Sequence, residues 1–354
     1  MLAGAACSSS STTPAGIESP EASSSDGAPA IEPAGDPAVH WVGRFDTSEP
    51  GIRRMGWSGA GFVVRFDGTG ASVRMDDAAR YFTVVIDGEV QAPLATTPGL
   101  RDYVLARGLP AGHHVVELYR RTEGHFGPTE IHEVMLEGTL AAPPIETRRI
   151  EIVGDSISAG YGNEGVSPCS FSAETENHYL TYGAMAARAV GAEVQTVAWS
   201  GKGAIYNYGD DRLQPLPELY DRTIATETDP WRFDWQPDVV VINLGTNDFS
   251  TDDDPSQTQF SEAYLALLVH LREVYPSAMM LVVAPSLFGA EASLVQGYLG
   301  DVVARRRAAG DARVAFADIN VAWLGSGCDG HPDVATHEAM AARLVDALQQ
   351  HLGW

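Results

Sequence analysis

A serine stands where its hydroxyl could act as a nucleophile. A short, largely apolar run over residues 150–153 is broken at Gly154, and Asp155 and Ser156 follow directly. Such a run is typical of a buried strand, and open α/β sheets bind ligands at the carboxyl ends of their strands. We therefore interpret Ser156 as a candidate nucleophile. The alternative is a plain turn with a helix N-cap, because Asp and Ser both cap helices well.

Two later loops could stabilise the oxyanion that forms when a serine attacks an acyl carbonyl. Residues 199–203 (Trp-Ser-Gly-Lys-Gly) and residues 245–248 (Gly-Thr-Asn-Asp) each follow a predicted strand. Removing one donor from such a site typically raises the barrier by about 3 to 4 kcal/mol. We predict three donors: the N–H groups of Ser156 and Gly201 and the side-chain amide of Asn247. The alternative for Gly201 and Asn247 is ordinary turn chemistry.

A serine nucleophile also needs a base, and one of the ten histidines stands apart from the others. His331 lies in Gly327–Pro332, a loop that follows the last predicted strand and precedes the final predicted helix. A carboxylate beside the imidazole would fix its tautomer and stabilise the imidazolium. Asp329 is the local candidate for that role, and the main-chain carbonyl of a neighbouring residue is the alternative.

The three cysteines indicate an extracytoplasmic protein. Cys7 follows small residues and precedes four serines, which is typical of a bacterial lipoprotein cleavage site; a plain secretion signal is the alternative. Cys169 and Cys328 are then an even pair in an oxidising compartment, which predicts a disulfide. Two unrelated buried thiols are the alternative. A bridge would tie the base loop to the segment after the nucleophile and preorganise Ser156 against His331.

The composition argues against several classes of partner. The formal net charge is −24, and such a surface repels phosphate backbones, so we expect no nucleic-acid partner. The acidic run Asp252–Asp254 supplies too little of an oxygen cage for a metal ion, and a solvated loop is the favoured interpretation. The sequence contains no run of about twenty apolar residues, so it predicts no membrane-spanning helix. We expect neither a metal nor a cofactor.

Three regions of different texture follow one another. Residues 1–37 hold a signal remnant and a Ser-, Pro- and Ala-rich tract that is predicted to be a disordered linker. Residues 38–142 contain many short strand-like runs between turns such as Asp87-Gly88, which favours an all-β sandwich. Residues 147–354 alternate strands with helices, which predicts an α/β fold with a doubly wound parallel sheet. The predicted helices are His178–Val190, Gln259–Tyr275, Ser293–Ala309 and Val334–His351.

Four short blocks resemble those of the SGNH hydrolases, in the same order along the chain. They are Gly154-Asp155-Ser156, Gly201, Gly245–Asp248 and Asp329–Pro332. Their spacing and surroundings are most similar to carbohydrate esterase family 2, and the resemblance covers residues 39–354. It implies an N-terminal jelly-roll domain packed on an SGNH domain. It also implies the removal of acetyl esters from plant-type polysaccharides such as xylan or glucomannan.

The resemblance assigns roles residue by residue, with one departure. It implies that Ser156 is the nucleophile, His331 the base, and Gly201 and Asn247 oxyanion donors. The general SGNH pattern has Asp three places before the histidine, but Cys328 occupies that place here. Asp329 is one place later, so its role stays open.

Sugar stacking needs flat side chains, and Gly330 offers none beside the histidine. Aromatic residues at the loop tips are the candidates, because their faces pack against pyranose rings. They are Tyr161, Trp199, Phe249 and Trp323.

Three functions are weighed on this basis. The first is a serine esterase that acts on acetylated polysaccharides or oligosaccharides through an acyl-enzyme. The second is a surface lipoprotein that binds glycan and carries an inactive esterase-like domain. The third is a lipase or thioesterase on the same scaffold, which the lack of a long apolar lid disfavours. Membrane anchoring is expected only through a lipid on Cys7.

Overall fold

The computed structural model describes residues 30–33, 39–284 and 289–354. Cys7 and most of the predicted linker lie outside these residues. Within the described ranges, no helix combines the length and apolar character needed to cross a bilayer.

An antiparallel β unit forms the N-terminal half of the described chain. Its organising element is a 17-residue strand, β5, whose neighbours include β2, β9, β10 and β11. Side chains such as Phe62, Phe66 and Phe82 fill its core and are fully buried. The strands are β1 Ala30–Pro33, β2 His40–Val42, β3 Phe45–Asp46, β4 Arg53–Met55, β5 Gly61–Asp77, β6 Tyr81–Ile86, β7 Glu89–Val90, β8 Leu94–Ala95, β9 Gly99–Ala106, β10 Gly112–Arg120 and β11 Thr129–Ala141.

The first strand corrects the predicted linker. Ala30–Pro33, which we expected to be disordered, pairs antiparallel with β11 from Glu133 to Leu136. Pairing with β11 satisfies main-chain N–H and C=O groups of this segment. Main-chain hydrogen bonds form whatever the side chains are, so the low apolar content that suggested disorder does not prevent the pairing.

A parallel five-stranded sheet with helices on both faces forms the C-terminal half. The strand order is β13-β12-β14-β15-β16. Helices α4 and α5 contribute to one apolar core, and α2 and α6 contribute to the other, so both faces are covered. The elements are β12 Arg148–Gly154, α1 Ser156–Ala159, α2 Tyr182–Ala189, β13 Ala192–Ala198, α3 Leu216–Leu219, β14 Val239–Asn243, α4 Gln257–Val274, β15 Met279–Val283, α5 Gly289–Ala308, β16 Val314–Ala317 and α6 Val334–Leu352. The predicted fold class is confirmed in both halves.

Capping residues fix where helices α2 and α4 begin, which the apolar pattern of the sequence predicts only approximately. Helix α4 begins after a capping box in which Ser256 and Gln259 satisfy each other's main-chain N–H groups. Helix α2 begins four residues later than predicted, at Tyr182, because Thr181 accepts a hydrogen bond from the N–H of Ala184 and caps it. A separate 3-10 turn precedes that cap.

A buried arginine joins the two halves. Arg44 of the β unit is 1% exposed, and its Nη2 donates to Oε1 of Glu151 on β12 at 3.0 Å. Its Nη1 donates to the main-chain oxygens of Tyr220 and Arg222. Both Nη atoms of this buried charge are thus bonded to the C-terminal half, so loss of either partner would leave an uncompensated charge in the interface.

Candidate active site

The three predicted loops leave the parallel sheet at one edge. β12 lies between β13 and β14, and Gly154 at its end is in register with Ala198 and Asn243 at the ends of those strands. Ser156 begins α1, and the side chain of Asp155 caps that helix by accepting from the N–H of Ile157 at 3.1 Å. The turn is therefore a helix N-cap that also carries Ser156, which is 6% exposed, and the role of Ser156 as a nucleophile stays a prediction.

The structure brings Ser156 and His331 into contact. Nε2 of His331 lies 2.9 Å from Oγ of Ser156, although 175 residues separate them. This distance is within the range in which a base accepts a proton from a nucleophile. Nδ1 of His331 is buried and makes no hydrogen bond of good geometry to the described residues, but the main-chain carbonyls of Asp329 and Cys328 lie close enough to affect the pKa of the ring.

A disulfide and main-chain hydrogen bonds fix the loop that carries His331. Cys169 and Cys328 are bonded, with their Cα atoms 4.7 Å apart. The N–H of Cys328 donates to the carbonyl of Gly162 at 3.0 Å, and the N–H of Asp329 donates to the carbonyl of Cys169 at 2.9 Å. The histidine loop is thus held against the segment that follows the nucleophile, as the cysteine pairing predicts.

Asp329 does not take the place of a triad carboxylate. Its Oδ2 accepts from the hydroxyl of Tyr161 at 3.0 Å and from the N–H of Phe171 at 2.8 Å. The backbone of Asp329 is left-handed, with φ of 50°, a conformation that Asp tolerates better than most residues. The prediction that its carboxylate orients His331 is therefore corrected: the carboxylate holds the rim of the site instead.

The surroundings of His331 favour a neutral imidazole. Burial lowers the pKa of His331 below its usual 6.5, while the main-chain carbonyls of Asp329 and Cys328 oppose this shift. The charges of Asp329 and Glu123 add smaller contributions in the same opposing direction. A neutral ring at mildly acidic pH is the state in which Nε2 can accept a proton.

The predicted oxyanion donors stand on loops that are tied to one another. Nδ2 of Asn247 donates to the carbonyl of Lys202 at 2.9 Å and lies 3.3 Å from Oδ2 of Asp155. The carboxylate of Asp248 accepts from the N–H groups of Ala204, Ile205 and Tyr206 at 2.8–2.9 Å. These contacts fix the second loop on the third.

The backbone of Gly201 is left-handed, with φ of 77°, which accounts for glycine at that position. A Cβ at Gly203 would come 1.9 Å from the carbonyl of Tyr206, so this glycine too is required by packing. The predicted donor loop is therefore shaped by two glycines.

Aromatic side chains line the mouth of the site, but not all of the predicted ones. The ring of Tyr161 stacks on Phe171 at 4.1 Å and lies 4.3 Å from the imidazole of His331. Trp199 and Trp323 are half-buried. Phe249 is only 4% exposed and packs in the core against Phe260. Its predicted role as a sugar platform is corrected, because no face of the ring is open.

Sequence reasoning missed a group of rim residues. The ring of Phe126 lies 6.2 Å from Phe171 and 4.0 Å from His125, which in turn lies 6.4 Å from Trp199. Tyr208 is 71% exposed, and its N–H donates to the carbonyl of Gly201 at 2.8 Å. His125 and Phe126 belong to the β unit, so no pattern in the catalytic half points to them.

No group of three or more His, Cys, Asp or Glu side chains suited to a metal ion is found in residues 39–284 and 291–354.

Two family models match the chain. The model described as Carbohydrate esterase 2 N-terminal matches residues 41–144, and the GDSL-like Lipase/Acylhydrolase family matches residues 152–347. The matched segments correspond to the antiparallel β unit and to the parallel sheet with its helices.

Individual relatives agree with these models. Cellulase/esterase CelE of Acetivibrio thermocellus is 36% identical over 90% of this chain, which spans 40% of the length of that protein. An acetylxylan esterase / glucomannan deacetylase of Cellvibrio japonicus is 26% identical over 91% of both proteins. A solved family two carbohydrate esterase from Clostridium thermocellum, in complex with cellohexaose, is 36% identical with a TM-score of 0.86, over 89% of this chain and 99% of that one. The chain therefore belongs to carbohydrate esterase family 2, a family of carboxylic ester hydrolases.

Proposed function

We propose that this protein removes acetyl groups from plant-type polysaccharides or oligosaccharides, such as xylan and glucomannan, through an acyl-enzyme on Ser156. The contact of 2.9 Å between Nε2 of His331 and Oγ of Ser156 carries the proposal. The substrate class is supported by the relatives, among them the acetylxylan esterase / glucomannan deacetylase of Cellvibrio japonicus.

The first half of the reaction transfers the acetyl group to the enzyme. Oγ of Ser156 bonds to the acetyl carbonyl carbon while its proton passes to Nε2 of His331. The electrons of the carbonyl bond move to the oxygen, which accepts from the N–H groups of Ser156 and Gly201 and from the amide of Asn247 once its long contact of 3.3 Å to Asp155 is released. When the intermediate collapses, the sugar oxygen leaves and takes the proton from His331.

The second half returns the enzyme to its starting state. A water molecule gives its proton to His331 and attacks the acetyl carbonyl on Ser156. The same donors hold the second oxyanion, and collapse releases acetate and restores the serine hydroxyl. The lowered pKa of His331 keeps the base neutral at the start of each half-reaction.

The aromatic rim supports a sugar-bearing substrate. The ring of Tyr161 lies between those of Phe171 and His331, and Phe126 follows beside Phe171. The exposed Tyr208 is hydrogen-bonded to the carbonyl of Gly201, and Trp199 and Trp323 complete the proposed sugar contacts. We expect a pyranose ring that carries its acetyl group toward Ser156 to rest on the faces of this rim that stay open and to meet Tyr161 at its edge.

We also propose that the protein acts outside the cytoplasm, with residues 38–142 and 147–354 working as one enzyme. Polymeric substrates lie outside the cell, and the bond between Cys169 and Cys328 needs an oxidising compartment. Lipidation of Cys7 lies outside the described residues and stays a prediction.

The direct test is acetate release from a panel of acetylated xylan, acetylated glucomannan and monosaccharide acetates. We expect acetate from the polymers, and none from a Ser156→Ala variant that retains its melting temperature. Binding of cellohexaose without acetate release from any ester would favour the glycan-binding alternative. Faster hydrolysis of long-chain acyl esters than of acetyl esters would favour a lipase or thioesterase.

A further inference from the structure

One loop of the β unit enters the catalytic half beside the reacting groups. We call residues 121–126 the wedge loop. The side chain of Glu123 is fully buried at its centre. A Cβ on the adjacent Gly124 would lie 2.3 Å from the Cβ of Ala225, so the loop is packed tightly against the catalytic half.

The carboxylate of Glu123 binds the residue next to the predicted oxyanion donor. The N–H of Ser200 donates to Oε2 of Glu123 at 2.5 Å, and Oγ of Ser200 donates to Oε1. Two hydrogen bonds from one residue to one carboxylate fix both the main chain and the side chain of Ser200. The peptide that follows carries the N–H of Gly201, so this contact restrains the segment from which that N–H projects.

We propose that Glu123 is a positioning residue for ester hydrolysis, through which the β unit completes the oxyanion site of the catalytic half. The inference rests on the proposed esterase function. It extends that function because Glu123 adds, from the β unit, a second hold on the donor loop at Ser200, beside the hold that Asp248 supplies within the catalytic half.

The surroundings of Glu123 fix it in place. Its main-chain N–H donates to Oε2 of Glu176 at 3.2 Å, and its carbonyl accepts from Nη2 of Arg120 at 3.0 Å. Arg121 on the same loop donates to the carbonyls of Glu174 and Glu176 at 3.1 Å. Burial and the neighbouring Glu123 raise the pKa of Glu176 well above its usual value, which favours the neutral form of Glu176.

Glu123 also lies close enough to influence the base. Its charge raises the pKa of His331 and so favours the imidazolium that forms when Ser156 attacks. Other groups near His331 are Asp329, the main-chain carbonyls of Asp329 and Cys328, the ring of Tyr161 and the buried His337. Nδ1 of His125 lies 3.5 Å from Oε1 of Glu123 itself. Loss of the Glu123 charge should therefore affect the pH dependence as well as the rate.

The test compares Glu123→Gln with wild type and with Glu89→Gln. The Gln variant keeps the volume of the side chain, but it removes the charge and replaces one of the two oxygens that accept from Ser200 by an NH₂ group. Glu89 is an exposed residue of the same unit. With 4-nitrophenyl acetate, we expect kcat of Glu123→Gln to fall by about 10- to 100-fold, less than removal of a donor itself costs. KM should change by no more than about twofold. The acid limb of kcat/KM should move to lower pH, and Glu89→Gln should match wild type.

Labelling of Ser156 by a fluorophosphonate gives a readout that does not depend on the natural substrate. Oγ of Ser156 bonds to phosphorus, fluoride leaves with the electrons of the P–F bond, and the serine proton passes through His331. The labelling rate should fall in Glu123→Gln in parallel with kcat. A Ser200→Ala variant, which loses one of the two hydrogen bonds, should show a smaller decrease.

The outcomes are distinguishable. Wild-type labelling and turnover by Glu123→Gln would overturn the inference. A loss of rate that is matched by a fall in melting temperature and leaves the pH profile unmoved would show a purely structural role and would also overturn it. If wild type is labelled but releases no acetate from any acetyl ester, the proposed function fails while the labelling comparison still tests Glu123.

Discussion

Replacement of Asp329 by Asn distinguishes a serine–histidine pair from a full triad. The carboxylate of Asp329 contacts the hydroxyl of Tyr161 and the N–H of Phe171, and the oxygen of an amide can accept from both. We expect the variant to fold as wild type and to keep most of its activity. A buried triad carboxylate behaves otherwise, because its amide analogue loses about 10⁴-fold in kcat.

The expected loss in kcat follows from the strength of the charge interaction between Asp329 and His331 that the variant removes. Asp329 is exposed, and an exposed charge interaction is worth about 0.2–1 kcal/mol. At about 1.4 kcal/mol for a factor of ten, the expected loss in kcat is less than about fivefold. A triad carboxylate, at about 10⁴-fold, corresponds to about 5.6 kcal/mol on the same scale. The two cases therefore differ by about three orders of magnitude.

The assay is kcat with 4-nitrophenyl acetate across the acid limb of the pH profile. Asp346→Asn, an exposed carboxylate on helix α6, is the matched control. The Asp329 variant should also shift the acid limb slightly downward, because the Asp329 charge raises the pKa of His331. A loss of 10³-fold or more with an unchanged melting temperature would refute the reasoning and restore Asp329 as a triad member.

Three further predictions follow from the site and the core. Burial lowers the pKa of His331, so kcat/KM for free enzyme should stay high above that pKa and fall only as pH drops through a midpoint below 6.5; a midpoint above 6.5 would contradict the burial argument. Cys169 and Cys328 are separated by 159 residues, and reduction should lower the unfolding free energy by up to about 5 kcal/mol in the chain-entropy account. Reduction should also lower kcat, and unchanged activity in the reduced, folded enzyme would show that the bridge does not position His331. Phe249→Ala should lower the free energy of unfolding, measured in urea, by about 3–5 kcal/mol. A variant with wild-type stability and weaker glycan binding would show instead that Phe249 contacts the sugar.

Much of the site could be predicted because sheet topology does the positioning. Parallel strands end at one edge, so the loops after β12, β13 and β14 had to converge. The histidine could be selected because it alone lay in an irregular loop between the last strand and the last helix. The pairing of Cys169 with Cys328 followed from the count of cysteines and an oxidising compartment.

The remaining features depend on contacts that no local pattern encodes. Glu123 and Phe126 reach the site from the β unit, and their role is visible only when the two halves are packed. The direction of Asp329 depends on a left-handed turn and on the N–H of Phe171, which lies 158 residues earlier. Phe249 follows the third loop directly, but its ring turns inward to Phe260 and Tyr298. Sequence position alone does not distinguish these orientations.

The central claim is that acetyl transfer passes through Ser156 with His331 as the base. Mass spectrometry of enzyme quenched in acid during turnover of an acetyl ester tests it most directly. We predict that a peptide containing Ser156 gains the mass of one acetyl group in wild type, and that Ser156→Ala and His331→Ala show none above background. Acetate release by wild type with no acetylated peptide, or with the acetyl group on another residue, would contradict the account.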